Sequence, residues 1–229
     1  MRLAVIPARG GSKRIPRKNI LPFAGKPVIA YPIQAASECG LFDRIIVSTD
    51  DEEIAEVGRA FGAETPFRRP ADLADDLTPT VPVIAHAIRA CADLGWQADE
   101  ICCIYPAVPL IDPDDLIRAH RLFQEAIAPY VFPVTRFPSP IQRALRRDDS
   151  GRVAPFQPEF VHGRTQDLEP AYFDSGQFYW GLADAWLEGL SVHEHGATIV
   201  LPEWRAIDID TPDDWRQAEI LFEALRQRA

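Results

Sequence analysis

The sequence has no apolar run that approaches the ~18 residues of a membrane-spanning helix. Its first apolar run ends at Arg9, too early for the hydrophobic region of a secretory signal peptide. Its four cysteines form no C-x-x-C pair, and two of them are adjacent in the stretch ICCIY. These absences argue against a membrane protein and a disulfide scaffold, so we expect a soluble cytoplasmic protein with reduced thiols.

Negative charge is absent from the start of the chain. No Asp or Glu precedes Glu38, and residues 1–37 carry seven positive side chains, although the formal net charge of the whole sequence is −10. An acidic protein repels polyanions, which disfavours general binding of nucleic acid or anionic membranes. The positive charge at the start therefore predicts a local site for a small anion.

Short apolar runs alternate with segments of helical length in the first half of the chain. The strand candidates are LAVIPA, DRIIVSTD and a run within ADEICCIYPAVPLI. Parallel strands need a crossover connection, usually a helix, so this alternation predicts an α/β fold with a mostly parallel sheet. At 229 residues, with 47% hydrophobic residues, we expect one domain over residues 1–229.

Capping residues mark several helix ends. Asp112 followed by Pro113 predicts one helix start, Thr211 followed by Pro212 predicts another, and Gly40 is a candidate C-cap. YVFPVT, QFYWGL and ATIVLP are further strand candidates, and RAIDID is predicted to be the final strand.

The alternation stops between about residues 136 and 174. This stretch is rich in Pro, Arg and Asp and has no long periodic run. A structureless loop of this length is uncommon inside a compact domain, so we expect an inserted lobe or flap that contacts a second subunit.

The opening segment PARGGSKRIPRKN is the first candidate site. Glycines after a strand let backbone N–H groups approach a phosphate, and the cleft of an α/β sheet opens at the carboxyl ends of its strands. The segment matches neither G-x-x-x-x-G-K-[ST] nor G-x-G-x-x-G. A solvated basic turn is the alternative.

Asp208 and Asp210 in AIDIDTP form the second candidate site. On a strand, residues i and i+2 share a face, so the two carboxylates would repel each other unless a cation lies between them. Mg²⁺ is commonly held by one or two carboxylates together with substrate phosphates. An ordinary turn with exposed acids is the alternative.

Two further segments carry candidate arginines. In RRPADLADDLTPT, Arg69 is a candidate partner for a phosphate or a nearby Asp, whereas capping of the next helix would explain Thr78 and Thr80. In HGRTQDL, Arg164 has the geometry to hold a substrate carboxylate with two hydrogen bonds, and a surface arginine is the alternative.

Four stretches, taken in order, resemble the sugar-acid cytidylyltransferases, the family of CMP-sialic acid synthetases. They are IPARGGSKRIPRKNI, IIVSTDDEEIA, RRPADLADD and AIDIDTPDDW, and the resemblance covers nearly the whole chain. It implies a Rossmann-like sheet of the nucleotide-diphospho-sugar transferase type. It also implies a homodimer in which an inserted segment reaches the active site of the partner.

The resemblance also implies roles for individual residues. Asp208 and Asp210 would hold Mg²⁺, and Arg9, Lys18 and Asp210 would be catalytic. Binding of CTP would involve Ala8, Arg9, Gly10, Gly11, Ser12, Lys18, Asn19, Arg69 and Asp76.

The second half of the chain resembles the pseudaminic acid branch of this family, which has R-[ST]-Q-D-L followed by D-[AS]-G-Q-F-Y-W-G. Where CMP-sialic acid synthetases have Leu-Gln-Pro-Thr-Ser-Pro-Leu, this chain has IYPAVPL, so two hydroxyls and a Gln are replaced. The implied residues on the sugar side are Tyr105, Ala107, Gln142, Arg164, Gln166, Ser175 and Gln177.

The implied reaction is nucleotidyl transfer. The C2 hydroxyl of a nine-carbon 2-keto sugar acid would attack the α-phosphorus of CTP and release pyrophosphate, with most of the catalysis coming from positioning and charge stabilisation. Sialic, legionaminic and 3-deoxy-octulosonic acids are alternative substrates. A catalytically silent nucleotide-binding relative is the alternative from another functional class.

Overall fold

Strands and helices alternate along the first half of the chain, as predicted. The computed structural model describes residues 1–126 and 128–227. Its strands are β1 Arg2–Pro7, β2 Pro22–Phe23, β3 Lys26–Pro27, β4 Arg44–Ser48, β5 Glu100–Ile104, β6 Tyr130–Arg136, β7 Leu145–Arg147, β8 Val153–Pro155, β9 Tyr172–Asp174, β10 Phe178–Leu182 and β11 Gly196–Leu201. Its α-helices are α1 Ala30–Glu38, α2 Glu52–Ala60, α3 Thr80–Asp93, α4 Pro113–Glu125, α5 Ala183–Glu188 and α6 Pro212–Arg226.

One central sheet has the order β11-β6-β10-β5-β1-β4. β1 pairs in parallel with β4 and β5, and β11 pairs in parallel with β6. β10 runs antiparallel to both β5 and β6, and β9 also pairs antiparallel with β6. The predicted mostly parallel α/β sheet is confirmed, with β9 and β10 reversed.

Helices cover both faces of this sheet. Ile33 of α1, Ile54 of α2 and Leu116 of α4 belong to the buried apolar cluster on one face. Ile84 of α3 and Trp186 of α5 belong to the cluster on the other face. Both clusters also take side chains from β1 and β5, which explains why those central strands are almost wholly apolar.

The predicted caps occur at the helix starts. The carboxylate of Asp112 accepts a 3.0 Å hydrogen bond from the Asp114 N–H. Thr211 and Asp214 form a reciprocal capping box at the start of α6. After α1, Gly40 has a φ of 66°, the left-handed conformation that glycine adopts without strain. Thr78 and Thr80 do not cap α3, because Pro79 occupies the cap position and the Thr80 hydroxyl lies 2.6 Å from that of Tyr105.

The prediction of a final strand at RAIDID is wrong. Arg205 ends a 3₁₀ turn, and residues 206–210 pair with no strand in the part of the chain that is described. Their backbone groups bind side chains instead: the Ile209 carbonyl accepts from Lys18 Nζ, and the Asp210 N–H donates to Asp214. The side chains still alternate, because Ile209 is buried while Asp208 and Asp210 reach solvent on either side of it.

The segment between β6 and β9 holds the β7–β8 hairpin and three short 3₁₀ turns. It exposes several large apolar side chains, namely Phe137, Ile141, Leu145, Val153, Phe156 and Val161. Its contact with a second subunit, and the lobe bounds of 136 and 174, stay predictions.

Among the described residues, no helix has both the length and the apolar character needed to cross a bilayer.

Candidate active site

A cavity of about 490 Å³ opens where β1 and β5 end. Such a position follows from the topology, since the loops after neighbouring parallel strands meet at one edge of the sheet. Among the described residues, its lining includes Arg9, Ser12, Lys13, Arg14, Lys18, Asn19, Arg69, Asp76, Thr78, Thr80, Val83 and Tyr105. The opening basic segment and RRPADLADDLTPT therefore face one space.

The loop after β1 is shaped by carboxylates at the start of α2. The Gly10 N–H donates a 3.0 Å hydrogen bond to Asp50, so this N–H is turned toward α2. A Cβ at Gly10 would lie 2.7 Å from the Asp51 carboxylate, whereas one at Gly11 would meet nothing within 4 Å. Arg17, at a φ of 56°, also binds Asp51. Close packing therefore demands glycine at position 10.

Four cations of this loop converge on two carboxylates. Arg9 and Lys13 both contact Asp76. Their hydrogen bonds lower the pKa of the Asp76 carboxyl, and the bond from Lys13 contributes most. Arg14 lies 2.6 Å and Lys18 3.6 Å from Asp210. The arrangement concentrates positive charge at the cavity wall, as an anion site requires.

Arg69 and Asn19 form the more buried part of the same wall. Arg69 is only 4% exposed, and its Nε donates a 3.2 Å hydrogen bond to the Ser48 hydroxyl. Desolvation lowers the pKa of Arg69 to about 10, so the guanidinium remains charged at neutral pH. Asn19 donates to the Arg9 carbonyl at 3.0 Å, while its buried Oδ1 has no partner among the described residues.

Asp208 and Asp210 flank this wall. Partial desolvation raises the pKa of the Asp208 carboxyl, and the charge of Asp210 raises it further. Among the described residues, no cluster of three or more His, Cys, Asp or Glu side chains is able to hold a metal. Two carboxylates whose charges interact suit a Mg²⁺ ion that takes its remaining ligands from phosphate and water.

Tyr105 lines the same cavity. Its hydroxyl lies 2.6 Å from that of Thr80, and its backbone N–H donates a 2.9 Å hydrogen bond to the Gln177 carbonyl. Desolvation raises the pKa of Tyr105 to about 12, so the phenol is neutral. Sequence reasoning missed Thr80 as a lining residue, since its partner lies 25 residues further along the chain.

Ser175 and Gln177 belong to a bulge between β9 and β10. The Ser175 hydroxyl donates to the Pro133 carbonyl at 3.1 Å, and Gln177 Nε2 donates to the Arg205 carbonyl at 2.5 Å. Gly176 between them has a φ of 64°, and a Cβ there would lie 3.9 Å from Asp208 Cγ. The bulge thus lies beside one of the two candidate metal ligands.

Several predicted residues are not among the described residues that line the cavity, namely Ala8, Gly10, Gly11, Ala107, Gln142, Arg164, Gln166, Ser175, Gln177, Asp208 and Asp210. Ala8 and Ala107 are buried, and Ala107 packs in a cluster with Ile209. Gln142 and Arg164 lie in the segment between β6 and β9, where they bind Glu169 and Asp167, and Gln166 is exposed nearby.

Comparison with known proteins places these features in context. A family model described as cytidylyltransferase matches residues 3–136. The chain is 41% identical to a pseudaminic acid cytidylyltransferase of Campylobacter jejuni over 99% of this chain and 98% of that protein. It is 33% identical to the CMP-N,N'-diacetyllegionaminic acid synthase of Legionella pneumophila, with the same coverage. Its fold matches CMP:2-keto-3-deoxy-manno-octonic acid synthetase complexed with CTP, with a TM-score of 0.70, 18% identity and coverage of 98% and 99%.

Proposed function

Because this chain belongs to the cytidylyltransferase family, we propose that it transfers the cytidylyl group of CTP to pseudaminic acid and releases pyrophosphate. The proposed acceptor is a nine-carbon 2-keto sugar acid whose C2 hydroxyl attacks the α-phosphorus. The chain is 41% identical to the pseudaminic acid enzyme and 33% identical to the diacetyllegionaminic acid enzyme, over nearly the full length of each. The higher identity supports pseudaminic acid as the substrate.

The observation that carries the proposal is the convergence of basic side chains on one cavity. Arg9, Lys13, Arg14, Lys18 and Arg69 all line it, in a protein whose net charge is −10. Such a concentration of positive charge suits a triphosphate. In this proposal Lys18 and Arg9 stabilise the charge that develops on the α-phosphate and the leaving pyrophosphate.

The rest of the nucleotide site is proposed from its neighbours. Ser12 and Asn19 offer polar groups to the nucleotide, and Arg69 and Asp76 lie at the cytidine side. Ala8, Gly10 and Gly11 shape the loop, so we assign them a supporting part in CTP binding.

Asp208 and Asp210 are the proposed Mg²⁺ ligands. A bound Mg²⁺ would supply charge neutralisation for the phosphates and orientation of the reacting oxygens. The carboxylate of Asp210 is already held by Arg14 and Lys18, which keeps it next to the proposed phosphate site.

The sugar side of the proposed site comprises Tyr105, Ala107, Ser175 and Gln177. Their apolar and amide groups suit a substrate that carries acylamino groups in place of some hydroxyls. Gln142, Arg164 and Gln166 are proposed to act on the site of the partner subunit in a homodimer. The exposed apolar side chains of their segment support this arrangement, because large exposed apolar patches mark interaction surfaces.

The test is pyrophosphate release from CTP and Mg²⁺ with separate sugar acids. Pseudaminic, N-acetylneuraminic and legionaminic acids are assayed in parallel, with Lys18→Met as the inactive control. Release with pseudaminic acid at a kcat/KM well above the others supports the proposal. Pyrophosphate release with only one of the other acids would show that the proposed substrate is wrong and the proposed reaction is right. Binding of CTP without pyrophosphate release in the presence of any of the acids would refute the reaction.

A further inference from the structure

A buried ion-paired group lies outside the cavity, between α4 and the segment that leads to α6. Arg205 Nη1 lies 2.8 Å from Asp112 Oδ2 and 2.5 Å from Asp115 Oδ2. The side chains of Arg205 and Asp115 are only 13% and 5% exposed. Removing one partner of a buried ion pair leaves an uncompensated charge, so the pairing opposes displacement of Arg205 from the start of α4.

The backbone of Arg205 is connected to the sugar side of the proposed site. Its carbonyl accepts a 2.5 Å hydrogen bond from Gln177 Nε2. A carbonyl only accepts, so the amide of Gln177 must present its NH₂ group to Arg205 and turn its Oε1 away. That Oε1 is buried and has no partner among the described residues.

The same backbone leads directly to the proposed metal ligands. Asp208 follows Arg205 by three residues, and the Gly176 backbone next to Gln177 lies close to its carboxylate. Further along, the Ile209 carbonyl is held by Lys18 and the Asp210 N–H by Asp214. Arg205 is thus the anchor at the sugar-side end of this segment.

We propose that Arg205 is a positioning residue, whose ion pairs with Asp112 and Asp115 hold Gln177 in place on the sugar side of the proposed site. The inference rests on the proposed function and deepens it. Gln177 is only 2% exposed and its Oε1 is closed to solvent, so in this proposal Gln177 supports the wall of the sugar side.

The test compares Arg205→Lys and Arg205→Met with the wild-type enzyme in pyrophosphate release. We expect the KM for the sugar acid to rise by about tenfold in Arg205→Met, the loss that one or two misplaced hydrogen bonds produce, and less in Arg205→Lys. The KM for CTP should stay within about twofold, since the basic loop is unchanged. Arg118→Met is the matched control, because Arg118 also pairs with Asp115, at 3.0 Å, but is half exposed and does not contact Gln177.

Variants of Gln177 test the connection to Arg205 directly. Gln177→Glu keeps an acceptor but loses the NH₂ group that binds Arg205, and Gln177→Met loses both. Both variants should raise the KM for the sugar acid and leave that for CTP unchanged. Melting temperatures of all variants, with and without CTP, report whether each one folds.

The outcomes separate the two proposals. A wild-type enzyme that releases no pyrophosphate with any sugar acid overturns the proposed function and this inference with it. An active wild type whose Arg205→Met variant is folded and keeps the sugar KM, or raises both KM values equally, overturns the inference alone. If Arg205→Met does not fold, Arg205→Lys and Gln177→Met decide instead. Unchanged KM values for the sugar acid in those two variants also overturn the inference.

Discussion

The Lys18 ammonium donates a 2.6 Å hydrogen bond to the Ile209 carbonyl, a residue 191 positions away in the sequence. Lys18 also lies 3.6 Å from Asp210. One side chain thus joins the basic loop after β1 to the segment with both acidic candidate ligands. A change at either end should therefore affect phosphate binding and metal binding together.

Lys18→Met should lower kcat by about 10²-fold or more, because a preorganised positive charge at the triphosphate is lost. Lys26→Met is the matched control, since Lys26 belongs to the same basic stretch but contacts Tyr31 and Gln34 instead of the cavity. Steady-state pyrophosphate release measures both variants. Equal activity of Lys18→Met and Lys26→Met would remove Lys18 from the catalytic group.

Asp210→Asn should raise the Mg²⁺ concentration needed for half-maximal activity and lower the maximal rate, because one of two carboxylate ligands is lost. Asp213→Asn is the control, since the Asp213 side chain is 89% exposed and pairs only with Arg216 among the described residues. Mg²⁺ titrations of activity measure the effect. Near-normal activity of Asp210→Asn at saturating Mg²⁺ would contradict the metal assignment.

Gly10→Ala should destabilise the protein by about 1–3 kcal/mol, the usual cost of an overpacked site. The new Cβ would lie 2.7 Å from the Asp51 carboxylate, which also holds Arg17 and caps α2. Gly11→Ala should leave the melting temperature nearly unchanged, since nothing lies within 4 Å of its Cβ. Urea unfolding of the two variants makes the comparison, and equal stabilities would show that the loop yields easily.

The sequence predicted those features whose causes are local. The caps Asp112 and Thr211 act on N–H groups two or three residues away, so their types and positions were sufficient. RAIDID was mistaken for a strand because the partners of its backbone, Lys18 and Asp214, are side chains of other elements. Apolar alternation cannot distinguish such partners from a neighbouring strand.

In the candidate site, too, some residues were predictable from local sequence and others depend on contacts between distant parts of the chain. The basic loop and Arg69 were predicted from charge and motif, and the fold brings them to one cavity. Thr80, by contrast, was interpreted as a helix cap because its type suits that role, and its pairing with Tyr105 depends on how α3 packs beside β5. Arg205 gave no sequence signal, since its ion pairs are with two carboxylates at the start of α4, about 90 residues away.

Acid should weaken the loop after β1 through Asp51. Its hydrogen bond to Arg17 lowers the pKa of Asp51, so the folded state binds a proton less readily than the unfolded chain. The resulting stability is present above the usual aspartate pKa of about 4 and is lost as the pH falls through the lower pKa of the folded state. Urea midpoints measured from neutral to acidic pH should fall less steeply for Asp51→Asn than for the wild type, and parallel curves would contradict this assignment.

Complementation tests whether Arg164 acts on the site of a partner subunit. Lys18→Met and Arg164→Ala should each be nearly inactive alone, since each removes one charge needed at every site. In a two-fold dimer with sites shared between subunits, mixed dimers have one site with both residues intact. Unfolding and refolding the two variants together in equal amounts should therefore restore about one quarter of the wild-type activity. In the control, the two variants are refolded separately, mixed and assayed immediately. Activity that is recovered after joint refolding but not in this control supports sites shared between subunits. No recovery in mixed dimers, with dimerisation verified by light scattering, would place Arg164 at the site of its own subunit, and an active Arg164→Ala variant would place it outside the reaction.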